Sequence, residues 1–106
     1  LCIITNDGWW RNTKGYKQHF SYAKLRAIEQ KRSIIRSANT GISAFISPNG
    51  DVSNVADWDE QKVIKSQVET YNTVTFYNQY GDYIGRISSF ISSIFIFMIF
   101  VKSKIN

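Results

Sequence analysis

Few side chains in this sequence can do chemistry unaided. Cys2 is its one thiol and His19 its one imidazole among 106 residues. A lone cysteine excludes an internal disulfide and a multi-cysteine metal site, and a lone histidine removes zinc sites built from His and Cys. No metal is expected, and no cofactor is assigned. Cys2 lies in the apolar run Leu1 to Ile4 with no base or cation beside it in sequence, which reads as an inert core thiol. His19 has no carboxylate partner in sight and reads as structural. The more informative stretch is Asn6-Asp7-Gly8-Trp9-Trp10. Asn6 and Asp7 shape a turn through short polar side chains that bond nearby backbone, and Gly8 is free to take positive φ. Adjacent tryptophans point opposite ways on an extended chain, so Trp9 and Trp10 cannot both enter a core. At least one is a surface aromatic on its loop or a pocket wall.

The elements around this turn follow from hydropathy and punctuation. Cys2-Ile3-Ile4 reads as a short buried strand of a sheet covered on both faces. Gln18 to Arg32 lacks Pro and Gly and is rich in helix formers. Phe20, Ala23 and Ala27 form one stripe and Leu25 and Ile28 another, which predicts a helix packed between layers. Arg26 and Glu29, three apart, pair on its surface. Strands are predicted at 33–37, 42–46 and 52–55, with a hairpin turn at Ser47-Pro48-Asn49-Gly50-Asp51. Alternation in Val63 to Glu69 predicts a further strand, and Thr70 to Asp82, polar with four aromatics, a linker hugging a surface.

Charge and the C-terminal segment narrow the partner. Residues 1–37 carry eight Lys/Arg against two acids, 38–82 two against six, and 83–106 three against none. A basic start interleaved with Trp9, Trp10 and Tyr16 suits nucleic acid or an anionic membrane. Ile87 to Val101 decides for the membrane: fifteen residues without a charge, then Lys102-Ser103-Lys104. That run spans about 22 Å as a helix, and starting at Tyr83 with Arg86 and Lys102 snorkelling reaches the thickness of a bilayer core. Ser88, Ser89, Ser92 and Ser93 suit close approach by other membrane helices. No nucleic acid partner is expected. A chain that opens inside a strand without an initiator Met is expected to be a piece of a longer protein.

Asn6-Asp7-Gly8-Trp9-Trp10, Gln18-His19, Arg26-Ala27-Ile28-Glu29, Arg36 to Ser43, Pro48-Asn49-Gly50 and Thr75-Phe76-Tyr77 to Gly81-Asp82 occur in the order and spacing of a known family. The sequence resembles the C-terminal part of the apolipoprotein N-acyltransferases, membrane enzymes with a nitrilase-like domain of the carbon–nitrogen hydrolase superfamily. The resemblance implies an α/β fold: the C-terminal half of an α-β-β-α sandwich over residues 1–82, then a transmembrane helix and basic cytoplasmic tail over 83–106. It implies a bacterial inner-membrane protein with residues 1–82 in the periplasm. The partners implied are a phospholipid acyl donor, a diacylated apolipoprotein acceptor and the bilayer.

The family uses a Glu–Lys–Cys triad and a Cys thioester. No residue of this chain matches that triad, because the nucleophile lies upstream of the Asn-Asp-x-Trp strand. The chain alone is therefore expected to be inactive, with no catalytic residue assigned. Trp9 and Trp10 are the expected substrate-pocket residues. Arg26, Glu29, Asn39 and Gly41 are expected scaffold near the site. Phe is more usual than Trp10 in the family, and Ala than Gly8. A soluble nitrilase-type amidase fragment and a non-catalytic, membrane-tethered binding domain are the alternative readings. The apolar C-terminus argues against the first, and the missing triad gives weight to the second.

Overall fold

The computed structural model describes residues 1–105 and divides into two compact units after Thr75. The first is a four-stranded mixed sheet with one helix on it. Strands β1 (Cys2–Thr5), β2 (Ile34–Ala38), β3 (Ser43–Ile46) and β4 (Val52–Ala56) lie in that order. β1 and β2 are parallel, with Cys2 opposite Ile35 and Thr5 opposite Ala38. The crossover between them is helix α1 (Lys14–Gln30). β2–β3 and β3–β4 are antiparallel. The expected hairpin closes β3 to β4, with the Ser47 amide donating to Asp51 O at 2.8 Å and Gly50 at φ +87. Asn54, at φ 50, is an extra residue of β4, because Ser43 pairs with Ala56 but Phe45 with Ser53.

Helix α1 begins four residues before the expected Gln18. Thr13 caps it, its hydroxyl accepting from the Gly15 amide, and Tyr16 in the first turn is buried against Trp58 with ring centroids 4.5 Å apart. It stops at Gln30 because Lys31 turns left-handed and returns its amide to Ala27 O and Ile28 O. The Phe20–Ala23–Ala27 stripe lies where the periodicity puts it. Ala23 and Ala27 meet Ile34 and Ile46 in the core, with Ile3 and Phe20 at its margin. Alanines on the helix bring its backbone close to the sheet.

The α1 face of the sheet holds the core, whereas the opposite face is open at β1 and flanked by residues 66–71 beside Phe45 and Ser53. The expectation of burial on both faces therefore fails at Cys2 and Ile4, which alternate with the inward Ile3: Cys2 is exposed and Ile4 is 89% exposed. Cys2 is not the core thiol expected. Leu25 and Ile28 are exposed too, so the second stripe of α1 meets no second layer.

Val63 to Glu69 is not a strand. Two of its carbonyls are taken by side chains rather than by a ladder: Asn54 Nδ2 donates to Lys65 O at 3.0 Å and Ser33 Oγ to Glu69 O at 3.1 Å. Arg32 Nη1 continues the series at Tyr71 O, and Thr75 Oγ1 donates to Glu29 O. Residues 70–75 thus run along the first unit as the linker reading expects, but the rest of that segment contains a short helix, α2 (Phe76–Tyr80).

The second unit holds α2 and helix α3 (Tyr83–Ile105), which starts at the residue expected. Asp82 Oδ1 accepts from the Gly85 amide at 2.9 Å, and Phe76 packs on Tyr80 and Tyr83. α3 is long and apolar enough to cross a membrane, with a mean hydropathy of 2.0 in an 18-residue window of Tyr83–Lys104 and none of that window buried.

Candidate functional site

β1 ends at Thr5, and the chain then turns on Asp7. Its amide donates to Thr40 O at 2.8 Å, while Asn6 Oδ1 accepts from the Gly8 amide at 3.0 Å. Asn6 therefore shapes the turn as expected. Asp7 does much more, because its carboxylate is fully buried. Oδ1 accepts from Thr5 Oγ1 at 3.0 Å and from His19 Nδ1 at 2.8 Å, and Oδ2 accepts from Arg36 Nη2 at 2.8 Å. Arg36, 1% exposed, also donates from Nη1 to Ile42 O at 2.9 Å and lies over the Phe20 ring. Burial pushes the guanidinium's pKa down, and the adjacent Asp7 charge and hydrogen bond oppose that fall. The pair is matched in charge and leaves no buried side-chain polar atom without a hydrogen-bond partner, the condition under which buried ions are tolerated.

His19 Nδ1 is 2.8 Å from the carboxylate and 3.2 Å from Arg36 Nη2. A nitrogen that close to a carboxylate oxygen carries the proton and donates it, so the Arg36 approach is a contact rather than a second bond. Both donors converge on Asp7. The tautomer so fixed leaves Nε2 as the imidazole's accepting nitrogen. The reading of His19 as lacking a carboxylate partner is thus corrected, since the partner comes from a residue twelve positions away.

The tryptophans sit in a single 3-10 turn, Gly8–Trp10, immediately after this anchor. Trp10 packs on His19 with centroids 5.0 Å apart, whereas Trp9 is 87% exposed. Thr13 Oγ1 donates to Trp10 O at 2.6 Å and holds the turn against the start of α1. Gly41, at φ +128, gives the Asp7 carboxylate its space: a Cβ there would stand 2.6 Å from Oδ2. Asn39 donates its amide to Thr5 O at 3.0 Å. Gly41 and Asn39 are thus gathered around β1 and Asp7, whereas Arg26 and Glu29 pair at 2.8 Å on α1. A separate cleft is lined by Cys2, Arg32, Glu69 and Tyr71, and neither tryptophan lines it.

Arg36 is the residue that sequence reasoning did not single out. The signal was available: it stands two positions after Ile34 in a strand, hence on the same inward face, where a charge requires a partner.

A mixed sheet carrying one crossover helix, with a buried Asp–Arg pair at the end of its first strand, is the frame in which this chain meets known proteins. The family model for carbon-nitrogen hydrolase matches residues 1–77, and the chain belongs to that family. More particularly, it is similar to proteins named apolipoprotein N-acyltransferase. It is 30% identical to that of Chlorobaculum tepidum over 98% of this chain and 20% of the relative, and 44% identical to that of Rhizobium rhizogenes over 59% and 12%. Apolipoprotein N-acyltransferase 2 of Treponema denticola is 34% identical over 98% of this chain and 19% of its own length. The chain spans about a fifth or less of these relatives.

Proposed function

We propose that this chain is part of a membrane N-acyltransferase that moves an acyl group from phospholipid, through a cysteine thioester, to the amino terminus of a diacylated apolipoprotein. Residues 1–82 are the C-terminal part of its nitrilase-like domain, on the periplasmic side of the inner membrane, and 83–106 are its membrane helix and cytoplasmic tail. The nucleophile, base and oxyanion donor come from outside this chain, and the uncovered sheet face with Cys2 and Ile4 packs on the remainder of the sandwich.

The observation that carries the reading is the match along the chain to proteins named apolipoprotein N-acyltransferase, which continues into the apolar helix α3. Trp9, 87% exposed on a turn whose base is buried and charge-locked, is the side chain we assign to the acyl chain. Arg11, Lys14 and Lys17 follow it and suit a phospholipid headgroup, and the apolar α3 suits a bilayer. Asn6 and Asp7 build the turn, while Arg26, Glu29, Asn39 and Gly41 are scaffold.

The test is the full-length protein incubated with a fluorescent phospholipid. A labelled, hydroxylamine-sensitive acyl-enzyme forms, and the label passes to a diacylated lipoprotein peptide. Trp9→Ala lowers kcat/KM for the phospholipid by about tenfold or more while the protein stays folded and inserted, as loss of an apolar pocket contact predicts. Trp10→Ala has a smaller effect. Wild-type turnover by Trp9→Ala assigns that residue to loop packing, and absence of any acyl-enzyme refutes the reading.

A further inference from the structure

We infer that His19 is a positioning residue for the tryptophan turn: fixed by Asp7, it seats Trp10, and through Trp10 it sets the direction in which Trp9 meets an acyl chain. The inference rests on the acyl-transfer reading above. Its physical basis is a chain of contacts that begins at an immobile group. The Asp7 carboxylate is held by Thr5, Arg36 and the space of Gly41, and its own amide is held by Thr40 O. The imidazole bonded to Oδ1 is therefore anchored at one end. Its ring meets the Trp10 ring at 5.0 Å and 49°.

Trp10 is confined from the helix side as well, since a Cβ at Gly15 would lie 2.6 Å from its Cδ1. His19 and the bare backbone of Gly15 thus define the seat of one indole. Trp9 shares the same three-residue turn, so any shift of Trp10 moves the backbone that aims it. His19 acts through Trp10 and need not touch a reacting atom, and a recognition side chain aimed by such a support binds in one geometry.

The experiment uses the full-length enzyme and the fluorescent phospholipid. His19→Asn keeps an amide nitrogen near the place of Nδ1 but removes the ring beneath Trp10. His19→Phe keeps a ring and removes the donor to Asp7. Both leave the Asp7–Arg36 pair intact. Gly15→Ala reaches Trp10 from the helix without touching Asp7 and serves where a His19 variant fails to fold.

All three raise KM for the phospholipid about tenfold with kcat near wild type, the signature of lost ground-state binding, and all three speed trypsin cleavage after Arg11. A KM unchanged in the variants that fold overturns the inference, whatever the cleavage rate. So does a fall in kcat at constant KM, which would place His19 in the chemistry instead. A wild-type enzyme that forms no acyl-enzyme overturns the acyl-transfer reading itself and this inference with it.

Discussion

Replacing Arg36 by methionine removes one half of a pair whose side chains are 1% and 0% exposed. Methionine fills much of the volume, so the perturbation is chiefly electrostatic. What remains is the Asp7 carboxylate beneath the sheet, with Thr5 and His19 as its side-chain donors, and an Ile42 carbonyl that has lost the 2.9 Å bond from Nη1. Exposure this low leaves no solvent screening to discount. The cost is therefore about 3–5 kcal/mol, as for other buried pairs that lose one partner, rather than the roughly 0–1 kcal/mol of a surface pair. Thermal unfolding of the detergent-solubilised full-length protein should fall by on the order of 10 °C. The double variant Asp7→Asn with Arg36→Met removes both charges and should lose less than the two single variants added together, because neither ion is left alone. A single-variant loss under about 1 kcal/mol, or strict additivity in the double, would refute the claim that this pair is desolvated and coupled.

Two further outcomes follow from local geometry. Gly41→Ala puts a Cβ 2.6 Å from Asp7 Oδ2 at a φ of +128, and should destabilise by about 1–3 kcal/mol in the same unfolding assay. Gly81→Ala, at φ +65 with Arg86 Nη2 no nearer than 3.8 Å, should cost less because its strain has no steric partner. If the basic end of α3 lies in the cytoplasm, as proposed, a cysteine introduced by Ser103→Cys should resist an impermeant thiol reagent added to intact cells, and ready labelling would reverse that orientation.

The strands and the crossover helix were legible because their signals are local. Ile42, Ala44 and Ile46 alternate, Pro48-Asn49-Gly50 turns the chain, and Phe20, Ala23 and Ala27 recur at helical spacing. Val63 to Glu69 misled for the same reason. It alternates like a strand, but a strand needs a ladder, and here Asn54 and Ser33 take the Lys65 and Glu69 carbonyls instead. The start of α1 was missed because it depends on a cap at Thr13 and on Tyr16 meeting Trp58, forty-two positions later in the chain. The exposed side of β1 was missed because a run of apolar residues carries no mark of which face is covered. The anchor under the tryptophans was the least legible part. Asp7 lies twelve residues from His19 and twenty-nine from Arg36, and the packing of α1 with the parallel register of β1 and β2 brings them together.

The Asp7–Arg36 pair also limits how this sequence can change over generations. A lineage that altered either position alone would lose about 3–5 kcal/mol, a large part of the 5–15 kcal/mol by which a typical domain is stable. The two positions are therefore free to drift only together, and a comparison of many descendants should find them either both kept or both exchanged. The turn they support is under no such bond. A Cβ at Gly8 would meet Asn6 Oδ1 at 3.0 Å and Thr40 Oγ1 at 3.5 Å, a fit that a small shift accommodates. Trp9 and Arg11, both exposed, affect stability little. Divergence in what this turn is proposed to recognise is thus open at positions 8, 9 and 11, on a foundation at 7 and 36 that must be inherited as a unit.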